Sequence, residues 1–216
     1  MGSWIRIREE RIYRRRKRLK LAKTDFTILA SNCNGSFMYH DMGLPYLTPM
    51  VNLSMRMDDF VTMLENLRWY MNQDIVEIKE NRKYPSGLLG GDITINFVHY
   101  NTFKEGVEKW EDRKRRINWD NLFIVGTEKD GCNYEILKRF ESLPYENKVV
   151  FTHVAYPEFP SAYYMKGFET KEELGVLTNY KDGFWRRRYL DDFDYVTFLN
   201  NGMKKNEDRI FDRKHE

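Results

Sequence analysis

Residues 122–152 read LFIVGTEKDGCNYEILKRFESLPYENKVVFT, and this stretch decides the fold. Leu122 to Val125 is a short apolar run. Asn133 to Ser142 then carries Ile136, Leu137 and Phe140 at helical spacing and stops before Pro144, and Lys148 to Thr152 is a second apolar run. Apolar runs of about four to eight residues between turn residues mark strands buried on both faces. Strand, helix and strand in succession predict an α/β domain with a mostly parallel sheet.

Outward from this unit the pattern repeats. Phe26 to Ser31 reads as another buried strand, followed by a long loop rich in Gly, Pro and Asn from Asn32 to about Met55. Asp58 is placed to cap a helix that carries Phe60, Leu64, Leu67 and Met71 and ends near Asn72. Residues 92–100 alternate, with Ile93, Ile95, Phe97 and His99 on one face, the period of a half-exposed strand at an edge or in antiparallel pairing. The sheet is therefore parallel or mixed. Helices are predicted over Thr102–Ile117 and Asp194–Asn200, with a weakly patterned stretch rich in Tyr, Phe, Pro and Gly between residues 155 and 189.

The economical parse is one three-layer α/β domain over residues 24–202, a basic helical arm at 1–23 and a charged tail at 203–216. Residues 155–216 as a smaller subdomain is the alternative. With 216 residues, 41% of them hydrophobic and 32% charged, the chain can bury one sizeable core, which excludes collagen-like, low-complexity and wholly disordered classes.

Charge is unevenly spread. The net charge is +3, yet residues 1–23 hold ten Lys or Arg against Glu9 and Glu10, a local +8 that leaves −5 on the remainder. Ile5, Ile12 and Leu19 recur every seven residues within this basic segment, giving a narrow apolar stripe on a cationic helix. Such a helix suits the interface of an anionic membrane. A solvated terminal helix is the plain alternative. Nucleic acid is not expected, since the body is acidic and carries no recognisable nucleic-acid motif. No run of about 18 apolar residues would span a bilayer. No apolar segment follows the basic start as in a signal peptide, so a cytoplasmic protein peripheral to the inner membrane is expected. Two cysteines, Cys33 and Cys132, fit reduced thiols rather than a disulfide scaffold.

Dinucleotide, P-loop, serine-esterase and zincin motifs are absent, as is any Cys-x-x-Cys. No cofactor is indicated by the sequence. Asp192-Phe193-Asp194 spells a pattern that can hold a divalent cation, but basic residues Arg186 to Arg188 precede it where an apolar strand is normal, and no metal site is assigned.

In open α/β sheets, ligands bind beyond the carboxyl ends of the strands. If the predicted strands are parallel, that rule gathers Asn32, Cys33, Asn34, His99, Tyr100, Glu128, Asp130 and His153 at one edge. His153 follows its strand directly and is the first choice for acid or base, with Asp130 and Cys33 as further catalytic candidates. Asn32, Asn34, His99, Tyr100 and Glu128 are the candidates for binding substrate. Each has a plainer reading: Cys33 as an inert thiol, His99 as a core histidine, Asp130 as the cap of the helix that follows it. Asn118-Trp119-Asp120-Asn121 falls at the opposite edge and reads as a structural turn.

Several stretches together carry a resemblance: Ser31-Asn32-Cys33-Asn34-Gly35, Gly43-Leu44-Pro45-Tyr46, Tyr84 through Leu89, His99-Tyr100, Trp110 through Arg113, Arg116 through Phe123, Asp130-Gly131-Cys132 and Phe151-Thr152. Over about residues 24–200 the chain resembles uncharacterised bacterial proteins that carry a domain of unknown function and are often labelled exopolysaccharide or capsule biosynthesis proteins. Asn34 stands where an aromatic residue is more usual in that pattern, and His153 lies outside the matched stretches. The resemblance implies an α/β fold and a link to surface-polysaccharide genes, with no activity to transfer. The resulting expectation is an enzyme that transfers or modifies glycans, using a sugar nucleotide or polysaccharide precursor. The rival is a non-catalytic, membrane-peripheral binding or scaffold protein of polysaccharide assembly.

Overall fold

A computed structural model describes residues 2–80, 82–181 and 187–203, with side chains from residue 11 onward. The tail expected at 203–216 lies, apart from Met203, outside the described residues, as does Arg186. Four strands, β1 (Thr27–Ala30), β5 (Leu122–Thr127), β6 (Lys148–Thr152) and β7 (Ala162–Tyr164), form one sheet in the order β1-β5-β6-β7. All three pairings are parallel.

The apolar runs are continuous because both faces of this sheet are covered. Leu29, Ile124 and Val150 point into one core, while Ile28, Ala30, Phe123, Val125, Val149 and Phe151 point into the other. The first core is closed by α3 (Met57–Glu65), α4 (Leu67–Tyr70), α5 (Phe103–Lys114) and α6 (Tyr134–Ser142), which contribute Phe60, Tyr70, Trp110 and Phe140 among others. The second is closed by α2 (Asn34–Met42) and α7 (Tyr195–Asn201) through Met38, Tyr39, Phe198 and Leu199. This is the three-layer α/β arrangement expected from the sequence. Outside it, α1 (Gly2–Leu19) lies against α2.

The alternating segment is antiparallel, but it does not join the parallel sheet. β2 (Ile75–Glu77), β3 (Ser86–Leu89) and β4 (Ile93–Asn96) make a separate antiparallel sheet. Its Ile75, Leu89, Ile93 and Ile95 pack into the first core. The helix expected from Asp58 to Asn72 is broken at Asn66, and Asp58 sits in the first turn of α3, not at its cap, where it pairs with Arg139 of α6 at 2.5 Å.

The expected loop at 32–55 contains α2. This helix ends on Gly43, whose left-handed backbone (φ 62°) closes its last turn. At its start, Gly35 faces β1 so closely that a Cβ there would lie 2.9 Å from Ala30 Cβ. Side-chain caps begin three other helices: Thr102 on α5, Asn133 on α6 and Asp194 on α7.

Candidate active site at the carboxyl edge of the parallel sheet

β1, β5 and β6 end side by side, so the residues that follow them meet at one edge. Neighbouring strands lie about 4.8 Å apart, which is within reach of polar side chains. Thr127, the last residue of β5, accepts hydrogen bonds at Oγ1 from Asn32 Nδ2 (3.0 Å) and Asn34 Nδ2 (3.2 Å). Asn32 Oδ1 in turn accepts from the backbone N–H of Asn34 at 3.1 Å, which turns the chain into α2.

The next residue, Glu128, is the centre of the arrangement. Its carboxylate accepts from the backbone N–H of His153 (2.7 Å) and meets His153 Nδ1 at 2.6 Å on Oε2, and it accepts from the Tyr156 hydroxyl at 2.7 Å on Oε1. The Glu128 and His153 side chains are 6% and 13% exposed. Its backbone is fixed too: the N–H donates to Phe151 O (2.8 Å) and the carbonyl accepts from Leu174 N–H (3.0 Å).

A carboxylate has no proton to give, so the bond to Nδ1 places the imidazole proton there. Nε2 is left with its lone pair, and no described residue bonds to it. This is the geometry of an oriented acid or base, in which a buried carboxylate sets the tautomer and stabilises the imidazolium when Nε2 takes a proton. Burial, and then the bond to Glu128, push the Tyr156 hydroxyl above its ordinary range, so it stays a donor.

The thiols are quiet. Burial raises Cys33, whose Sγ lies 4.0 Å from Leu53 O, and no described imidazole bonds to it. Burial followed by the Glu128 charge pushes Cys132 up to about 12. Both are therefore thiols rather than thiolates at neutral pH.

Asp130 does not cap α6, since Asn133 Oδ1 accepts from Ile136 N–H (3.0 Å) in that role. Asp130 is instead exposed in a left-handed turn with Gly131 (φ 57° and 83°), its backbone N–H donating to Glu173 Oε2 at 2.9 Å. Glu173 also pairs with Lys129 at 2.6 Å, and the Arg56 guanidinium passes close over Gly131.

His99 and Tyr100 follow β4, and no described hydrogen bond ties either of them to Asn32, Thr127, Glu128 or His153. The edge rule applies to parallel strands, and β4 belongs to the antiparallel sheet, which leaves His99 exposed in the following turn and not in the core. The Tyr100 hydroxyl donates to Val51 O (3.0 Å) and accepts from Arg113 Nη1 (2.6 Å), a tie between a loop and α5. At the opposite edge, Asn118 Oδ1 accepts from Asp120 N–H at 3.2 Å, the expected turn. Asp192 pairs with Lys181 and Arg187 while Asp194 caps α7, so the two carboxylates of the Asp-x-Asp pattern serve separate local ties. Among the described residues no group of three or more His, Cys, Asp or Glu is placed to hold a metal ion.

Tyr156 and Arg56 are the members of the edge that sequence reasoning missed, and Thr127 was placed there only as part of the loop after its strand. Of these two, only Tyr156 left a signal, an aromatic hydroxyl three residues beyond a histidine that directly follows a strand.

Residues 5–200 match a protein family described as a domain of unknown function, DUF1919. The chain belongs to this family. A family relative from Haemophilus influenzae, described as an uncharacterised protein, is 40% identical over 182 residues, which is 84% of this chain and 87% of the relative. Among the described residues no helix is long and apolar enough to cross a membrane.

Proposed function

We propose that this chain is an acid–base enzyme that transfers or modifies a sugar unit on a surface-polysaccharide precursor, with His153 as the base that activates an acceptor hydroxyl. The observation that carries the reading is the buried Glu128 carboxylate bound to Nδ1 of His153. In the step, the acceptor O–H proton passes to Nε2 as the oxygen bonds to the transferred group, and the bond from that group to its leaving group breaks. Glu128 stabilises the imidazolium formed, and Tyr156 holds the other carboxylate oxygen so that the pair keeps its alignment.

The substrate class rests on two supports. One is the resemblance to proteins labelled for exopolysaccharide synthesis. The other is the first turn of α2, which begins at the same edge with Asn34; its first N–H is held by Asn32 Oδ1, and those of Gly35 and Ser36 are the donors suited to the phosphates of a sugar nucleotide.

The test is a thermal-shift screen of the purified chain against nucleotides, sugar nucleotides and lipid-linked sugar phosphates, followed by turnover assays on every hit. A ligand at about 100 times its dissociation constant stabilises the fold by roughly 2.7 kcal/mol. Turnover is expected to fall about 100-fold or more in His153→Gln, and to lose the pH dependence of a single base, while the ligand still binds. A ligand that binds without turnover, or turnover that survives His153→Gln, overturns the enzyme reading and leaves the chain as a binding component of polysaccharide assembly.

A further inference from the structure

Helix α1 is fixed to the body along one side. The Tyr13 hydroxyl donates to Asp191 Oδ1 (2.7 Å), Arg14 Nη2 meets His40 Nε2 (2.7 Å), and Arg18 Nη1 donates to Gly43 O (2.8 Å). Lys17 donates to the Tyr195 hydroxyl and lies 3.9 Å from Asp41 and 3.7 Å from Asp191. Just past the helix, Asn200 accepts from Ala22 N–H and donates to Lys20 O, both at 2.7 Å. The face so engaged is polar, which is the reverse of an ordinary surface helix, where the apolar stripe is buried and the charges face water.

The apolar row is on the outside. Ile12 is 42% exposed and Leu19 is 74% exposed. At 3.6 residues per turn, residues seven apart lie on one row, so Ile12 and Leu19 are aligned, and Arg15 and Arg16 fall on either side of them. Arg11, Arg15, Arg16, Lys20 and Lys23 are all exposed. The helix therefore presents an apolar row between cations, while Tyr13 and Lys17 hold its back to the protein.

We infer that this outer face of α1 is a docking surface for an anionic lipid bilayer, on which the protein rests as a rigid body. Three features select that occupant. The apolar side chains gain by entering the headgroup boundary, and the guanidinium groups gain by meeting anionic headgroups. Against a nucleic-acid backbone the cations would have a use, but the exposed Ile12 and Leu19 would have none. The remainder of the chain carries −5 against +8 in residues 1–23, so the charge asymmetry favours an orientation with α1 toward a negative surface. The helix is already folded and anchored, so little ordering cost attends binding. The inference stands apart from the reading of the sheet edge.

The experiment is co-sedimentation of the full chain at physiological salt with phosphatidylcholine vesicles, with and without phosphatidylglycerol. Binding is expected only when phosphatidylglycerol is present. Replacing Arg11, Arg15 and Arg16 together with Gln is expected to lower the partition coefficient by about tenfold or more. A double variant, Ile12→Ser with Leu19→Ser, is expected to lower it several-fold with no change in melting temperature, because those side chains touch solvent. Absence of wild-type binding, equal binding to neutral vesicles, or unchanged binding in either variant overturns the inference. Duplex DNA bound with the same arginine dependence, and indifferent to Ile12 and Leu19, would instead assign the face to nucleic acid.

Discussion

Glu128 does two jobs that a substitution can separate. Its carboxylate satisfies the His153 N–H, His153 Nδ1 and the Tyr156 hydroxyl in a nearly dry setting. Glu128→Ala would strand these donors, and unpaired buried donors cost about 1–3 kcal/mol each. Glu128→Ala is expected to lose about 3 kcal/mol in urea unfolding, and Glu128→Gln clearly less, because the amide keeps one acceptor oxygen. Equal stability of the Glu128→Ala variant and the wild-type protein would show that water replaces the carboxylate. His153 and Glu128 were legible as single residues, since His153 directly follows one apolar run and Glu128 lies in the turn after another. Their bond was not, because it depends on β5 and β6 being neighbours in space. Tyr156 left only its spacing from His153 as a trace, because it belongs to a loop with no period to read.

Among the elements, α2 is the one on which the edge depends most. Its sequence, Asn34-Gly-Ser-Phe-Met-Tyr-His-Asp-Met42, opens with residues of poor helix propensity and reads as loop, yet tertiary contact with β1 holds it as helix. Gly35 makes that contact possible. Gly35→Ala is expected to destabilise the fold by about 1–3 kcal/mol in thermal or urea unfolding, by driving a methyl against Ala30 and Ile28. Because α2 begins beside Asn32, the same change should also weaken any ligand held at the edge. The three-residue strand β2 escaped reading through brevity, and β3 because Ser86 and Gly87 interrupt its apolar pattern. The longer elements β5, β6 and α6 were legible because their apolar pattern is complete, and Asn133 and Pro144 bound α6 between the two strands.

For the whole molecule, the layers followed from sequence because runs of buried residues need cover on both faces, and the charge asymmetry was plain from counting. What sequence did not disclose is that the cationic helix has a fitted seat in the body. Around that seat, burial works to raise Asp191, but the hydrogen bonds and charge of Arg188, together with the Tyr13 hydroxyl, outweigh it and bring Asp191 down to about 2. Burial brings Lys17 down to about 8 despite its two carboxylate neighbours. The signs differ in consequence. Asp191 contributes stability above its ordinary value near 3.8, and that contribution is lost as pH falls through about 2. Between pH 8 and 10.5 the unfolded chain keeps a proton on Lys17 that the folded chain has released, so this group makes stability rise with pH across that window. Comparing wild type with Lys17→Met by chemical unfolding should show that slope in the former and its absence in the latter. Identical slopes would mean that Lys17 is solvated in the folded protein.

The seat has a further consequence, in time. Tyr13 and its partner Asp191 are 178 residues apart. At about 5–20 residues per second, the ribosome delivers the second roughly 9–36 s after the first. Once α1 has cleared the exit tunnel it is a bare cationic segment for the rest of that interval, while Asp191 and Tyr195, which will hold it, are not yet made. Of the helices described, the one synthesised earliest thus cannot complete its seat until nearly all of the described chain is made, and a nascent chain can find its surface before its body has closed.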